Sequence, residues 1–247
     1  MPAQVKPGEL SVRHALMVFT SPRELFARVE DTGAYGWALV VLIALFILIG
    51  YAEVQTGLIE RSIDQRTEGA LAKIEETQAH LIDRVELRDR MEDVRKTGEF
   101  KKLLARLGGV VFTPVYMLAS LLLIASILYS AVALTGRKPE YHTLMSICVY
   151  AAFIELVGYT VRLAMVIYYR TTYVDTSLGL LAAPGEASPL VAIDPFRIWF
   201  WVLVVLGLIV TRQLSRRVAV ASCVLMALVA AGTRIGMQYA MKAQALG

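Results

Sequence analysis

Two opposite charges, Glu155 and Arg162, stand inside an apolar stretch from Leu144 to Tyr168 that is long enough to cross a bilayer. A charge at membrane depth is unfavourable by about 2.5–3.5 kcal/mol on insertion scales, so a chain that keeps two of them must pair, hydrate or use them. The spacing of two helical turns places both side chains on one helix face, about 10 Å apart along the axis. This helix is therefore the first candidate for a functional site.

Three further side chains are candidates for the same site. Tyr150 and Tyr159 belong to the same apolar stretch, and Arg234, in the last apolar segment, is an alternative partner for Glu155. One hypothesis is a polar cavity or a path for an ion or a lipid headgroup. The other is a structural ion pair in which Arg162 reaches toward the membrane interface. Both hypotheses remain open at the level of the sequence.

No catalytic or metal-binding motif accompanies these residues. The three histidines are far apart and none belongs to an HExxH motif, and no P-loop follows Gly108-Gly109. Cys148 and Cys223 lie in apolar blocks without a CxxC spacing, which is typical of buried free thiols. We therefore expect a protein that is not an enzyme, with no catalytic residues, no metal ligands and no cofactor.

The composition is that of a membrane protein. Hydrophobic residues make up 57% of the 247 residues, whereas an ordinary soluble domain is roughly 45–50% apolar. The net charge of +4 does not come from a Lys/Arg stripe with interleaved aromatic residues, so we expect no nucleic-acid partner. The basic excess instead fits loops that orient a membrane protein.

The apolar blocks predict an all-α, polytopic integral membrane protein with five transmembrane helices. About 20 helical residues cross the ~30 Å hydrocarbon core. Asp194-Pro195 provides a helix N-cap followed by proline at the first helical position, which predicts the start of the fourth span. The predicted spans are residues 34–54, 108–134, 143–168, 195–211 and 218–239.

Two segments outside the spans have their own character. Residues 1–33 form an N-terminal leader in which Ser21-Pro22 begins a short amphipathic helix, either on the membrane surface or as a plain connection. Residues 55–107 carry nearly equal numbers of acids and bases, with apolar residues at helical spacing. This pattern predicts a long amphipathic helical insertion between the first two spans, or a helical hairpin or coiled-coil element broken near Thr97-Gly98. A protein-docking stalk and a solvated linker are its two interpretations.

The Lys and Arg residues of the short connections predict the orientation. The leader, the turn at Arg137-Lys138 and the turn from Arg212 to Arg217 fall on one side of a five-span protein, and basic short loops face the cytoplasm. We therefore expect a cell (inner) membrane protein with a cytoplasmic N-terminus and an extracytoplasmic C-terminus. The Glu155 end of the third span is then nearer the cytoplasm than its Arg162 end.

An ordered set of short motifs resembles the Yip-domain family of polytopic membrane proteins, whose eukaryotic members are Golgi and ER proteins that interact with Rab GTPases. Residues 108–247 form the Yip-like domain, and the long insertion before them is similar to bacterial members. The motifs are Gly108-Gly109, Leu134-Thr135-Gly136, Tyr141-His142-Thr143-Leu144, Cys148-Val149-Tyr150-Ala151, Ile193-Asp194-Pro195-Phe196-Arg197-Ile198-Trp199 and Leu206-Gly207.

The resemblance implies five spans, a cytosolic N-terminus and an accessory or scaffold role in membrane organisation, trafficking or an export assembly. The candidate partners are the lipid bilayer, a membrane-protein partner such as an export-complex subunit, and a second copy of the chain. The alternative is a small transporter or lipid-handling protein that uses Glu155 and Arg162 within the membrane.

Overall fold

The computed structural model of the chain describes residues 12–29, 31, 33–78, 83–172, 174–182 and 188–246. Across these ranges every regular element is a helix, and five helical segments are long and apolar enough to cross a membrane. The predicted class, an all-helical membrane protein with five candidate spans, is confirmed at this level. The α-helices are α1 Val12–Thr20, α2 Pro22–Ala27, α3 Gly36–Gln55, α4 Leu58–Gln78, α5 Arg84–Leu107, α6 Thr113–Leu134, α7 Tyr141–Tyr169, α8 Pro195–Val210 and α9 Arg216–Leu246.

Helix α7 is the centre of the bundle. Of the most apolar 18-residue stretch of α7, 67% is buried inside the protein, whereas only 11% of the corresponding stretch of α9 is buried. Every side chain from Thr143 to Ile154 is buried, and α3, α6 and α8 all pack against the helix. A helix that is apolar on all sides must be enclosed by other helices or by lipid. The sequence of α7 therefore suits the position that it occupies.

Two glycines allow α7 and α8 to approach each other closely. A Cβ atom on Gly207 would lie 2.6 Å from Ile147 Cγ2, and one on Gly158 would lie 2.9 Å from Phe196 Cγ. Small residues at such contacts increase van der Waals packing, which drives helix association in membranes where the hydrophobic effect does not. The two contacts also show that α7 and α8 run antiparallel.

The charged helices α4 and α5 form an antiparallel pair. Asp64 Oδ1 lies 2.6 Å from Lys102 Nζ, and Glu60 Oε1 lies 2.7 Å from Arg106 Nε. The two bridges occur one helical turn apart on each helix, so they hold one face of α4 against one face of α5. Exposed ion pairs of this kind contribute about 0.2–1 kcal/mol each, and their main effect here is to set the register.

The predicted break near Thr97-Gly98 is wrong. Helix α5 continues through both residues. It begins at Arg84, after Asp83, whose side chain accepts a hydrogen bond from Arg84 N. Gly98 is buried, and a Cβ atom there would lie 2.8 Å from Thr67 Oγ1. The glycine is present because α4 passes close to it.

Helix α5 continues into the second span without an interruption. A π-helical turn, Gly108–Phe112, connects α5 to α6, and the resulting helix extends for 51 residues from Arg84 to Leu134. At Gly109 the backbone of this turn contacts Gly50 of α3, where a Cβ atom would overlap the Gly109 carbonyl. The extra residue per turn of a π-helix shifts the helix face, which aligns the charged part with α4 and the apolar part with the bundle.

The N-terminal helices close the opposite end of the bundle. Leu25 and Phe26 of α2 are fully buried, so the apolar face of this short helix contacts protein. Asp31 Oδ1 accepts hydrogen bonds from the backbone N–H groups of His142 and Thr143, at 3.1 and 3.3 Å. A carboxylate at this position caps the N-terminus of α7 and complements its dipole. Helix α1, which the sequence did not predict, packs against α2 and α7.

Candidate functional site

A cavity of about 560 Å³ opens where the C-terminal part of α7 meets α8, α9, Thr172 and residues 174–176. The cavity is on the same side of the bundle as Glu53, at the end of α3 that leads into α4. Three acidic and three basic side chains line it. They are Glu155, Asp175, Asp194, Arg162, Arg197 and Arg234.

Helix α7 presents one face to this cavity. Glu155, Gly158, Tyr159 and Arg162 all line it, and their spacing of three, four and seven residues is that of one helical stripe. The inference that Glu155 and Arg162 share a face therefore agrees with the structure, which places both in a single cavity.

Glu155 and Arg162 do not bridge to each other. Arg162 Nη1 lies 3.0 Å from Glu53 Oε1 of α3, and Glu155 Oε1 lies 3.6 Å from Arg197 Nε of α8. Two helical turns separate the two residues along the axis, so each reaches a neighbouring helix more readily than its counterpart on α7. The two charges link three spans instead of forming one pair.

Arg234 of α9 lies between two aspartates. Its Nη1 is 3.9 Å from Asp194 Oδ2, and its Nη2 is 3.9 Å from Asp175 Oδ2. Both distances exceed the range of a hydrogen bond, and the Nη1 atom is buried without any hydrogen-bond partner among the described residues. Arg234 is therefore held by charge while one of its donors remains unsatisfied.

Asp194 joins the start of α8 to the cavity. Its Oδ1 accepts hydrogen bonds from Phe196 N at 3.0 Å and Arg197 N at 3.5 Å, which confirms the predicted N-cap. Its Oδ2 accepts a hydrogen bond from Thr176 Oγ1 at 3.1 Å. One carboxylate thus orients Arg197, secures the connection before α8 and faces Arg234.

The two predicted tyrosines have different positions. Tyr159 lines the cavity and packs edge-on against Phe46, with 5.1 Å between ring centroids. Tyr150 lies within the buried segment of α7 against Phe153, and its hydroxyl has no hydrogen-bond partner in the described part of the chain. The structure does not bring Tyr150 to the cavity.

The sequence interpretation missed four charged residues of this site. Glu53 and Arg197 are the direct partners of Arg162 and Glu155, and Asp175 and Asp194 flank Arg234. Their positions at the ends of apolar segments could have indicated them. Glu53 lies near the end of the first span, and Arg197 lies in the first turn of the fourth. Among the described residues, no group of three or more His, Cys, Asp or Glu side chains could hold a metal ion.

An apolar groove of about 460 Å³ meets the charged cavity from the side of the bundle. Helices α6 and α9 form its walls, and Trp201 of α8 contributes to its floor. Four residues line both the groove and the cavity, so the two spaces adjoin. They are Glu155, Tyr159, Arg197 and Arg234.

Comparison with known proteins agrees with this architecture. No solved structure matches the chain. The chain is 25% identical over 215 residues to "Membrane protein YknW" of Bacillus subtilis (strain 168), which covers 85% of this chain and 83% of that protein. Residues 16–233, which include all five candidate spans except the end of the last, match the family described as Yip1 domain. The protein therefore belongs to the Yip1 domain family of membrane proteins.

Proposed function

We propose that this Yip1-family protein is a non-enzymatic accessory component of a bacterial membrane assembly, and that the α4–α5 pair docks a partner protein of that assembly. The observation that carries the proposal is the continuity of α5 with the second span over 51 residues. A flexible linker would not require this connection, whereas a docking element must be held in a fixed direction relative to the membrane.

The contacts at the base of the pair support the same function. The bridge from Glu60 to Arg106 and the contact of Gly50 with Gly109 fix the pair on the bundle. Beyond this base, many charged side chains of the pair are exposed. Such a surface, on a rigid support, suits recognition of a partner by charge complementarity.

The orientation that we propose puts the α4–α5 pair and the charged cavity on the extracytoplasmic side of the inner membrane. The N-terminal helices, His142 and the turn near Arg212 then face the cytoplasm. This arrangement follows the basic short connections, which favour the cytoplasmic side.

The docking proposal is tested by copurification after crosslinking in cells. The comparison variant lacks residues 62–104, replaced by a short Gly-Ser turn, and retains Glu60 and Arg106. We expect the full chain to capture a membrane-protein partner and the shortened chain, inserted at equal level, to lose it. Capture of the same partner at an undiminished level by the shortened chain would overturn the proposal.

A second candidate function is lipid handling, which is favoured by the meeting of the charged cavity with the apolar groove. Movement of an ion across the bundle has less support, because the segment of α7 from Thr143 to Ile154 is buried and separates the cavity from the opposite end. Lipid handling is tested by lipid transfer between vesicles with the wild type and with Glu155→Gln. Equal rates for both, at the level of protein-free vesicles, would exclude it.

A further inference from the structure

We propose that the cavity and the groove together form a binding site for one zwitterionic phospholipid of the phosphatidylethanolamine class. The phosphate lies against Arg197 and Arg234, the ammonium group lies against Asp175 and Asp194, and an acyl chain occupies the groove between α6 and α9. This site gives a ligand class to the lipid-handling function and rests on that candidate for its purpose.

The shape of the two spaces is that of an amphiphile. A cavity of about 560 Å³ lined by six charged side chains adjoins a groove of about 460 Å³ lined mostly by apolar ones. Each volume is within the range of about 300–1,000 Å³ that is usual for small-molecule sites. Because Glu155, Arg197 and Arg234 line both spaces, a ligand that fills both has its polar group at their junction.

The arginines at the junction have donors to offer. Arg234 Nη1 is buried and has no hydrogen-bond partner among the described residues, although Asp194 Oδ2 is 3.9 Å away. Arg197 Nε is 3.6 Å from Glu155 Oε1, also longer than a normal hydrogen bond. A buried donor without a partner is unfavourable. Phosphate oxygens would satisfy such donors, because guanidinium groups bind phosphate through two parallel hydrogen bonds.

The pairing of the charges favours a zwitterion. Arg162 is paired with Glu53 and Glu155 faces Arg197, which leaves Arg234 opposite two aspartates. A ligand with both a phosphate and an ammonium group supplies an anion for the arginine and a cation for the aspartates. In an anionic lipid the polar group beyond the phosphate carries no positive charge. Asp175 and Asp194 would then have no opposite charge from the ligand. Uncompensated charge in a partly desolvated site is strongly unfavourable.

The groove needs an apolar occupant from outside the protein. The most apolar window of α9 is the least buried of the five, at 11%. The groove wall on α9 includes Leu225, Val229 and Met237, which are all exposed, and the wall on α6 includes Leu123 and Ile127, which are exposed as well. An acyl chain in the groove would be flanked by α6 and α9 and would extend directly to Arg197 and Arg234.

Fluorescence quenching of Trp201 tests the site in detergent-solubilised full-length protein. Trp201 lines the groove, whereas Trp199 is 51% exposed and does not line it. Two single-tryptophan proteins are compared, Trp37→Phe with Trp199→Phe and Trp37→Phe with Trp201→Phe. The probe is phosphatidylethanolamine brominated on one acyl chain, with phosphatidylglycerol brominated in the same way as the anionic comparison.

We expect saturable quenching of Trp201 by phosphatidylethanolamine at one lipid per protein, and only gradual, unsaturated quenching of Trp199. Arg234→Gln should weaken the saturable quenching roughly tenfold, which corresponds to loss of one charged hydrogen-bonding group. Arg234→Lys keeps the charge without the two parallel donors, so its affinity for the lipid should fall between those of the wild type and Arg234→Gln. It also serves as the test variant if the Gln protein does not fold.

A matched pair of alanines tests the groove. Ala230 lines it, so Ala230→Phe should abolish the saturable quenching, whereas Ala221→Phe, at an exposed position of the same helix outside the groove, should leave it unchanged. Equal saturable quenching by phosphatidylglycerol, or unchanged quenching in Ala230→Phe, would overturn the proposal. Saturable binding without lipid transfer between vesicles would exclude the lipid-handling function and support the binding site. Lipid transfer without saturable binding would support the lipid-handling function and exclude the binding site.

Discussion

Arg162 and Glu53 join the ends of two parallel spans, with Arg162 Nη1 3.0 Å from Glu53 Oε1. The glutamate is only 15% exposed, so the pair is largely withdrawn from solvent. Tyr159 packs against Phe46 between the same two helices. The bridge therefore fixes one wall of the charged cavity to α3, the helix that leads into α4.

Glu53→Gln should lower the stability of the protein by about 1.5–3 kcal/mol, because it removes the charged partner of Arg162 and leaves that charge partly buried. The measurement is thermal unfolding in detergent, monitored as the loss of monodisperse protein with temperature. The exchange of the two residues, Glu53→Arg with Arg162→Glu, should recover part of the loss. A double variant less stable than either single one would contradict the bridge.

Gly50→Ala should destabilise the protein by about 1–3 kcal/mol, since its methyl group would overlap the Gly109 carbonyl and force α3 away from the π-helical turn. Gly232→Ala is the matched control, because nothing lies within 4 Å of a Cβ atom there. Alanine favours helix over glycine by about 1 kcal/mol, so the control should be neutral or stabilising. Similar unfolding temperatures for both variants would argue against the close contact.

Asp194→Ala should reduce stability by about 0.5–2 kcal/mol through loss of the α8 N-cap. Asp194→Asn keeps an oxygen that can accept hydrogen bonds from Phe196 N and Arg197 N, but it removes the charge that faces Arg234. The asparagine variant should therefore be the more stable of the two in thermal unfolding. Equal losses in the two variants would show that the charge, which both remove, and not the cap, is the larger contribution.

The α4–α5 contact should weaken in acid. The hydrogen bond from Arg106, which is the largest influence, lowers the pKa of Glu60 below its ordinary value of 4.5. Because the folded-state pKa is lowered, the stabilisation is present above about pH 4.5 and is lost as the pH falls through the folded value. Spin labels on Glu68→Cys and Arg95→Cys should show a broader distance distribution at low pH than at pH 7.

Glu60→Gln supplies the control for this pH dependence. It should broaden the distribution already at neutral pH and reduce the further change in acid. Glu76→Gln, near the other end of α4, should keep the wild-type response. An unchanged acid response in Glu60→Gln would assign the effect to other carboxylates of the pair.

The proposed orientation predicts which introduced cysteines are accessible from outside the cell. Arg95→Cys on the α4–α5 pair should react with a membrane-impermeant maleimide in intact cells, and Lys138→Cys should react only after lysis. Both positions are exposed, and the two native cysteines are buried. The reverse pattern would invert the topology.

Hydropathy and helix-end residues were sufficient to predict much of the fold. The apolar blocks predicted five spans because membrane crossing depends on length and composition, which are local properties. Asp194-Pro195 predicted the start of α8 because an N-cap acts within three residues. Helix α1 gave no such signal, since it is short and is buried mainly through Ala15 and Val18.

The partners of the charges could not be predicted in the same way. Spacing showed that Glu155 and Arg162 share a face of α7, but Glu53 and Arg197 reach them from other helices. Their identity depends on the tertiary arrangement of α3, α7 and α8. Gly98 shows the same limit, because a glycine that breaks a helix and one that admits a neighbouring helix look alike in a single sequence.

The uninterrupted helix from Arg84 to Leu134 has a mechanical consequence. At about 1.5 Å per residue its 51 residues extend roughly 76 Å, more than twice the thickness of the hydrocarbon core. One end belongs to the charged pair and the other forms a wall of the apolar groove. Because Gly50 packs against Gly109 near its middle and Glu60 bridges to Arg106, this helix is a rigid connection between the charged pair and the wall of the groove.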